Sequence, residues 1–326
     1  MCDLSWEEEN SQLCLFPLVT IPPVGHKKRF KVGVLRFAGH ETFACRATWL
    51  HKGIDLIQRK GVEGFTKPEA VVELGVGRNM VLAIRYWINA FQIVDSQGQL
   101  TPITRLIVDN EEGPAIDPYL ESKDSLWLLH LSLIGGGHGA IYPFFFREFF
   151  KRKSSRTFTE SEVLRSLTTW LHESGEKMPA VSSIKSDLRV LIDNYCLKMN
   201  AKGSEESMTN LLTDIGLIQK TNFKSDNEVV FELNHLASKQ ISEPLFACML
   251  MQCFDSSSAS LDKLFDQIGY ALVMDREMFI RRIEQVCLTY PELFVYKDDA
   301  GLREVQCYAS LSPLTFFVNQ QPEHAC

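Results

Sequence analysis

The sequence predicts a mainly α-helical, α+β protein made of tandem winged-helix-like modules with short β-hairpins. One pattern occurs three times along the chain, in which amphipathic helices precede two short β-type runs around a polar turn. The helices carry apolar residues three to four apart, as in Ile280, Ile283 and Cys287, which is typical of a helix with one buried face. The loop at 299–301 is polar and ends in glycine, a pattern that closes two strands into a hairpin. Helices followed by a hairpin are the winged-helix order.

The first copy of this pattern belongs to a predicted N-terminal DNA-binding domain. Its helices are predicted at residues 46–60, 67–74 and 79–91. A hairpin is predicted to join residues 93–94 to residues 105–108 around the turn at 95–98. The winged helix proper is therefore expected between Lys67 and Val108.

The second and third copies follow in the same order. The second has helices predicted at 160–172 and 183–195, a helical turn near 209–214, and strands at 216–219 and 229–233. The third has helices predicted at 244–254, 260–268 and 275–289, and strands at 293–296 and 303–308. Thr159 and Glu162 fit a capping box, in which each side chain pairs with a backbone N–H at the start of a helix. The predicted divisions are a lead-in at 1–28, domains at 29–150, 151–240 and 241–312, and a tail at 313–326.

The composition is that of a folded, soluble protein. Hydrophobic residues make up 45% of the chain and charged residues 23%, and no apolar run reaches the length of about 18 residues that a membrane helix needs. The nine cysteines show no Cys-x-x-Cys spacing, which favours reduced thiols over a disulfide framework or a zinc site. The N-terminus is acidic and lacks the layout of a signal peptide. We therefore expect a cytoplasmic protein.

Charge is distributed unevenly along the chain. Residues 27–105 contain 13 Lys and Arg against 6 Asp and Glu, a balance of +7, so the net charge of −7 leaves −14 for the remainder. A positive N-terminal region on an acidic body is compatible with a face that binds phosphates. The alternative is an ordinary solvated surface.

The first predicted module offers a set of DNA-contacting side chains. Arg78 and Asn79 follow a glycine-containing turn and begin a helix, where free backbone N–H groups face an anion. Arg85 lies two turns further along the same face. Arg and Asn side chains bond both phosphates and base edges. The predicted DNA-binding residues of this module are Lys52, Lys67, Arg78, Asn79 and Arg85. The alternative is a module that contacts only proteins.

The motif Gly-His-Glu-Thr-Phe at 39–43 is the candidate catalytic element. In a nuclease, His40 or Glu41 would act as the general base, Glu41 could instead bind a metal ion, and Arg46 would stabilise the developing phosphate charge. As a binding element, Arg46 would hold a phosphate and His40 would contact a sugar or base. In a purely structural interpretation, Glu41 and Arg46 form a buried pair that pins the lead-in to the first helix, with Phe43 and Trp49 in the core.

Three further stretches carry polar or basic side chains. Residues 143–150 are rich in phenylalanine and lead into a basic block in which Arg147, Lys151 and Arg152 are predicted to bind DNA, since aromatic and cationic side chains together grip single strands. The alternative for this block is a domain core with a solvated basic end. Asp117 and Glu121 could bind a divalent ion, but Asp-Pro before a helix more often forms a turn and a cap. The glycine-rich stretch at 135–139 lacks the Lys-Ser/Thr of a nucleotide-binding P-loop and is expected to be a flexible turn.

Together these motifs resemble a bacterial family found in gene clusters for DNA phosphorothioation. The resemblance covers roughly residues 35–310 and is densest at 37–150. It rests on the segments at 39–50, 74–80, 84–87, 117–121 and 126–130. It implies the DNA-nicking subunit of a single-stranded phosphorothioation system, which inserts sulfur into one strand and serves in defence against phage.

The resemblance also implies partners. These would be DNA, a cysteine desulfurase, an ATPase and a sulfur-transfer protein similar to ATP pyrophosphatases. Because phosphodiester cleavage needs an activated water and charge neutralisation, Mg²⁺ or Mn²⁺ is the expected cofactor. The alternative function is a non-catalytic DNA-binding scaffold or regulator that positions the modification enzymes, since the sequence shows no standard nuclease signature.

Overall fold

The computed structural model of the protein describes residues 36–109, 113–136, 138–153, 155–196, 210–299 and 301–320. The predicted lead-in at 1–28 lies outside these residues. The described chain is mainly helical and contains two small antiparallel sheets, which confirms the predicted α+β class. Within it, no helix is both long enough and apolar enough to cross a membrane.

The N-terminal region is a helical layer with its apolar faces turned inward. Its α-helices are α1 (Ala47–Lys60), α2 (Ala70–Leu74), α3 (Arg78–Ala90) and α4 (Lys123–Gly135). Two 3₁₀ helices, Val62–Thr66 and Pro102–Leu106, lie between them. Trp49 of α1 and Trp87 of α3 are buried in the shared core. Gly75 ends α2 in the left-handed conformation, with φ 61°, which glycine adopts without steric cost.

The hairpin predicted for the first module is wrong. Val94 pairs with Leu100 in an isolated antiparallel bridge, and the chain then enters the 3₁₀ helix at Pro102–Leu106 instead of a second strand. Proline fits the start of such a turn because its φ is already helical and it has no N–H to pair. The described part of this region therefore holds the three predicted helices without the predicted second strand at 105–108.

Helix α4 runs through the middle of the molecule. Its side chains from Ser125 onward are buried, as expected for a helix that is apolar on every face. His130 accepts from the Tyr195 hydroxyl at Nδ1 (2.8 Å) and donates from Nε2 to the carbonyl of Ala271 (2.8 Å). Burial lowers the pKa of His130 to about 4, so the ring is neutral at pH 7. The helix thus links all three predicted regions.

The second region contains the first sheet. The N-terminal region ends with α5 (Ile141–Pro143) and a π-helical turn at Phe144–Phe149, and a 3₁₀ turn at Phe150–Arg152 leads into the second region. The second region then forms β1 (Thr157–Phe158), α6 (Glu160–Glu173), α7 (Val181–Tyr195), β2 (Ile218–Ser225) and β3 (Glu228–Leu233). The strand order is β1-β3-β2, all antiparallel. The predicted capping box is confirmed, because Thr159 and Glu162 exchange side-chain and backbone bonds at the start of α6.

The third region repeats this connectivity. It consists of α8 (Glu243–Met251), β4 (Ser258–Ser260), α9 (Leu261–Leu264) with a π-helical turn at Phe265–Gly269, α10 (Arg276–Thr289), β5 (Phe294–Asp299) and β6 (Leu302–Cys307). The strand order is β4-β6-β5, again antiparallel. In both regions a short strand precedes two helices and pairs with the last strand of the hairpin. The predicted second and third hairpins are therefore confirmed.

The predicted tail at 313–326 includes a packed helix. Residues Pro313–Asn319 form α11, in which Phe316 and Phe317 are buried. The ring of Phe316 meets that of Tyr290 edge to face at 5.2 Å. The beginning of the tail therefore belongs to the core of the third region, because its apolar side chains are covered.

Candidate nucleic-acid interface

The segment around the 39–43 motif has an unusual backbone. Four of its residues have positive φ values, namely Ala38 (63°), Gly39 (103°), Glu41 (49°) and Thr42 (66°). Residues other than glycine adopt such values rarely, and they persist only where the surroundings hold them in place. The contacts of this segment show what holds it.

A buried carboxylate on α7 binds the start of the segment. Oδ1 of Asp187 accepts hydrogen bonds from the backbone N–H of Ala38 (2.9 Å) and from Nε2 of His40 (2.7 Å). Nδ1 of His40 accepts from the backbone N–H of Thr42 (3.1 Å), which fixes the tautomer with the proton on Nε2. The rings of Tyr86 and His40 pack nearly at right angles, with their centres 5.5 Å apart. His40 therefore ties its own loop to α7.

A second pair of bonds holds the end of the segment. Asn194 lies two turns after Asp187 on the same face of α7 and is fully buried. Its Oδ1 accepts from the backbone N–H of Cys45 (3.1 Å), and its Nδ2 donates to the Tyr142 hydroxyl (2.7 Å). Nε1 of Trp87 donates to the carbonyl of Phe43 (3.1 Å). The motif is thus anchored between α3 and α7.

The three predicted catalytic residues do not converge in this geometry. His40 is buried and both of its ring nitrogens form hydrogen bonds, which argues against the predicted general-base role. Glu41 is exposed, so the predicted buried Glu41–Arg46 pair is wrong. Arg46 precedes α1, is half-buried, and lies over the Trp49 ring, with its guanidinium carbon 5.5 Å from the ring centre.

A wide cleft opens beside the motif. Its volume is about 1070 Å³, and it lies between the motif segment, α3, the turn at 94–96 and the glycine-rich stretch. The groups in its wall that carry or can carry charge are Arg36, Glu41, Arg85, Asp95 and His138. Of the predicted site residues, Glu41 and Arg85 line it.

Two guanidinium groups, Arg36 and Arg85, lie in the cleft wall together with two carboxylates, Glu41 and Asp95. Nη1 of Arg36 donates to Nε2 of His138 (3.0 Å). Burial lowers the pKa of His138, and the charges of Arg36 and Arg85 lower it further, so this ring is neutral at pH 7. Arg85 is exposed, and no acidic partner for it occurs among the residues that the structure describes. The cleft therefore presents two arginines and an imidazole that can take up a proton.

The glycine-rich stretch is part of the cleft wall. A Cβ at Gly139 would lie 2.8 Å from the Tyr142 ring and 3.1 Å from the Tyr86 hydroxyl, and one at Gly136 would lie 3.2 Å from the carbonyl of Ala90. Glycine is required here because the backbone passes close to its neighbours. The stretch predicted to be a flexible turn thus packs tightly in its described part and places His138 in the cleft.

Comparison with known proteins identifies the family. Residues 37–318 match the family described as "Protein of unknown function (DUF4007)". The chain belongs to the DUF4007 family. No curated protein sequence matches it.

Two solved structures share the fold of this DUF4007 chain. They are described as "Magnesium ion-bound SspB crystal structure" and "SspB crystal structure", and each matches with a TM-score of 0.70 and 24% sequence identity. Each match covers 87% of this chain and 86% of the other. At this identity the likeness establishes the fold.

The other cations predicted to bind DNA in the N-terminal region lie outside the cleft. Nζ of Lys52 donates to the carbonyl of Leu74 (2.8 Å) and so caps the end of α2. Lys67, Arg78 and Asn79 are exposed, with Arg78 and Asn79 in the first turn of α3 as predicted. Only Arg85 of this set faces the cleft.

The basic block of the DUF4007 chain forms ion pairs. Lys151 lies 3.1 Å from Asp266, and Arg152 lies 3.0 Å from Glu173. Arg147 is half-buried, and burial lowers its pKa. The preceding phenylalanines at positions 144, 145, 146 and 149 are buried. The block is therefore a domain core with a basic end, as in the alternative interpretation. This arrangement argues against the predicted binding of single-stranded DNA by the block.

Two acidic residues that could bind a metal ion, Asp117 and Asp95, form hydrogen bonds to the backbone instead. Both carboxylate oxygens of Asp117 accept backbone bonds, from Glu121 (3.1 Å) and Ser122 (2.9 Å), which confirms the predicted turn. The predicted cap is wrong, because Ser122 caps α4 by accepting from the N–H of Asp124. In the cleft, Oδ1 of Asp95 accepts from the N–H groups of Gln97 and Gln99. Across the described ranges, no group of three or more His, Cys, Asp or Glu side chains could hold a metal ion. These residues therefore do not assemble a metal centre from protein ligands.

Proposed function

We propose that this protein is the DNA-binding component of a bacterial DNA phosphorothioate modification and defence system, and that it nicks one strand for sulfur insertion. Two observations support the assignment to such a system. The sequence motifs resemble the nicking subunit of single-stranded phosphorothioation systems, and the fold is shared with SspB. The partners would be the ATPase and sulfur-transfer subunits of that system.

The observation that carries the DNA-binding part is the convergence of Arg36 and Arg85 on one cleft. Guanidinium groups bind phosphate in a planar, bidentate manner and stay charged at every physiological pH. Arg85 has no described acidic partner to displace, so phosphate binding there does not cost an existing ion pair. The geometry supports a strand lying across α3 with its phosphates on the two arginines.

We further propose that the second and third regions are winged-helix modules. The proposal is supported by their shared connectivity, in which a short strand pairs with the far strand of a hairpin after two helices. The residues outside 27–105 carry a balance of −14. Because an acidic surface repels DNA, these regions would contact the partner subunits more than the strand.

For the nicking step we propose Glu41 as the general base. It is the exposed carboxylate of the motif, it lines the cleft with both arginines, and its backbone is fixed by the Asp187–His40 bonds. A carboxylate so placed can take a proton from an attacking water while the guanidiniums offset the charge that develops on the phosphate. His40 and Asp187 would position this loop without touching the substrate.

We propose that nicking requires a divalent cation, which the assay must therefore supply. One of the two similar structures is described as magnesium-bound, and Mg²⁺ often binds through few protein carboxylates together with substrate phosphates. Because the described residues form no metal centre, we assign Mg²⁺ or Mn²⁺ no protein ligands.

The test is nicking of supercoiled plasmid by the purified protein with Mg²⁺ or Mn²⁺. Wild type is expected to give open-circle product, and Glu41→Gln should lower the rate by roughly 10²- to 10⁴-fold, the usual contribution of a general base. Glu69→Gln is the matched control, because Glu69 is exposed and lies outside the cleft. Equal rates for Glu41→Gln and wild type would exclude Glu41 as the base.

The second candidate function is a non-catalytic scaffold that binds DNA and positions the modification enzymes. It is favoured by the burial of His40 and by the separation of Arg46 from the cleft, which leave few groups for chemistry. Salt-sensitive DNA binding without any open-circle product, under either cation, would select this function.

A further inference from the structure

A smaller pocket, the side pocket, lies beside the cleft, and Arg85 lines both. Its volume is about 200 Å³. Its apolar walls come from Val62, Phe65, Ile88 and Val94. It shares with the cleft the five residues Arg85, Asn89, Val94, Asp95 and Ser96. A ligand bound at Arg85 therefore lies next to the side pocket.

The outer wall of the side pocket is a rigid turn at 95–98. Oδ1 of Asp95 accepts from the backbone N–H groups of Gln97 (2.8 Å) and Gln99 (2.9 Å). Gly98 has a φ of 79°, and a Cβ there would lie 2.9 Å from the Val62 side chain. Since the turn is bonded internally and packs closely on Val62, the pocket is formed before any ligand arrives.

The rim of the side pocket is polar, and some of its hydrogen-bond donors and acceptors are available to a ligand. Nδ2 of Asn89 donates to the carbonyl of Arg85 (2.7 Å), so this bond leaves the Oδ1 acceptor of Asn89 for a ligand. Arg85 brings guanidinium donors to the same rim. Donors and acceptors thus surround an apolar slot.

These features together match one chemical group. A nucleobase has flat apolar faces and a polar edge, and it is attached to a phosphate, which the neighbouring Arg85 can bind. A free phosphate would make no use of the four apolar walls. We propose that the side pocket receives one unstacked nucleobase of the bound strand. This inference rests on the proposed DNA-binding function and adds the part of the substrate that is recognised.

The test compares two single-stranded ligands of equal length, a normal oligonucleotide and an oligomer in which every nucleotide is abasic. Wild type is expected to prefer the base-bearing ligand by roughly tenfold, since burying one base on an apolar wall gives an effect of that order. Ser96→Leu narrows the mouth of the side pocket and should remove most of this preference while keeping affinity for the abasic oligomer. Glu69→Gln is the control and should behave as wild type, because Glu69 is exposed and lines neither the cleft nor the side pocket.

Two more variants separate this inference from the proposed function. Val62→Met fills the side pocket from inside and should act like Ser96→Leu. Arg85→Ala should weaken binding of both ligands by similar factors. Equal affinity of wild type for the two ligands, or an undiminished preference in both filling variants, would overturn the side-pocket proposal while the DNA-binding function stands. If neither ligand bound at low salt, both the DNA-binding function and the side-pocket proposal would be overturned.

Discussion

Two clusters of basic residues differ in what the fold brings next to them. In the cleft, Arg36 contacts a neutral histidine and Arg85 has no acidic partner among the described residues. In the block at 147–156, Lys151 meets Asp266 and Arg152 meets Glu173. In the sequence, both clusters are cations beside aromatic residues.

The difference shows that the availability of a cation is decided by tertiary structure. A phosphate that binds Lys151 must compete with a carboxylate already in place, whereas Arg85 forms no ion pair among the described residues, although Glu41 and Asp95 line the same cleft. The aspartate that pairs with Lys151 comes from the third region, 115 residues along the chain. This difference supports the proposal that DNA binds in the cleft, and it is consistent with a structural role for the block between the second and third regions.

The largest effect on stability should come from removing the Asp187 carboxylate, which holds the motif segment of the cleft wall in place. Asp187→Ala leaves the N–H of Ala38 and Nε2–H of His40 without acceptors in a buried site, so we expect a loss of about 3 kcal/mol in the free energy of unfolding. Denaturant titration measures this loss. Asp187→Asn, which keeps an acceptor oxygen, should lose less. An Asp187→Ala variant as stable as wild type would show that these bonds do not hold the motif.

Alanine substitutions in the two clusters should have smaller effects on the free energy of unfolding, and these effects should differ between the clusters. Arg152→Ala breaks a partly exposed pair with Glu173 and should lower the free energy of unfolding by at most about 1 kcal/mol. Arg85→Ala breaks no ion pair within the described residues and should leave stability unchanged. Thermal unfolding of both variants at low salt measures the difference. The opposite ranking, with Arg85→Ala the less stable, would mean that Arg85 has a structural partner.

The smallest predicted effect is the change of DNA affinity with pH. The pKa of His138 is lowered below its usual 6.5 by burial and by Arg36 and Arg85. A bound phosphate offsets those two charges and so raises this pKa, and the complex therefore takes up a proton as the pH falls. DNA affinity should increase on acidification below pH 6.5, by less than about tenfold per pH unit because one group titrates.

The control for this pH effect is His138→Gln, which has no titrating ring and should flatten the dependence. Binding measured by fluorescence anisotropy between pH 5.5 and pH 7.5 provides the comparison. A pH dependence in His138→Gln equal to that of wild type would assign the proton to another group.

Much of the helical architecture could be predicted from the sequence because it depends on local pattern. The spacing of apolar residues predicts α1, α3, α6, α7 and α10 to within a few residues, and the Thr159–Glu162 capping box is present. The prediction of the first hairpin failed because Pro102 begins a 3₁₀ helix just before the residues that were predicted to form the second strand.

The site was predicted only in part because its groups meet across long stretches of chain. Arg85 and Glu41 were found from local motifs, but Arg36 and His138 are 102 residues apart and pair only in the fold. Asp187 and Asn194 did leave a signal. They are polar residues seven apart on the same buried face as Ile184 and Leu191, and polar side chains on an apolar stripe indicate buried hydrogen bonds.

The most direct test of the difference between the two clusters is the salt dependence of single-stranded DNA binding by two double variants. Arg36→Ala/Arg85→Ala should lower the affinity and reduce the slope of log K against log salt by about 1.4, or about 0.7 for each lost phosphate contact. Lys151→Ala/Arg152→Ala should keep the wild-type slope. A wild-type slope in the cleft variant together with a reduced slope in the block variant would contradict the assignment of DNA binding to the cleft.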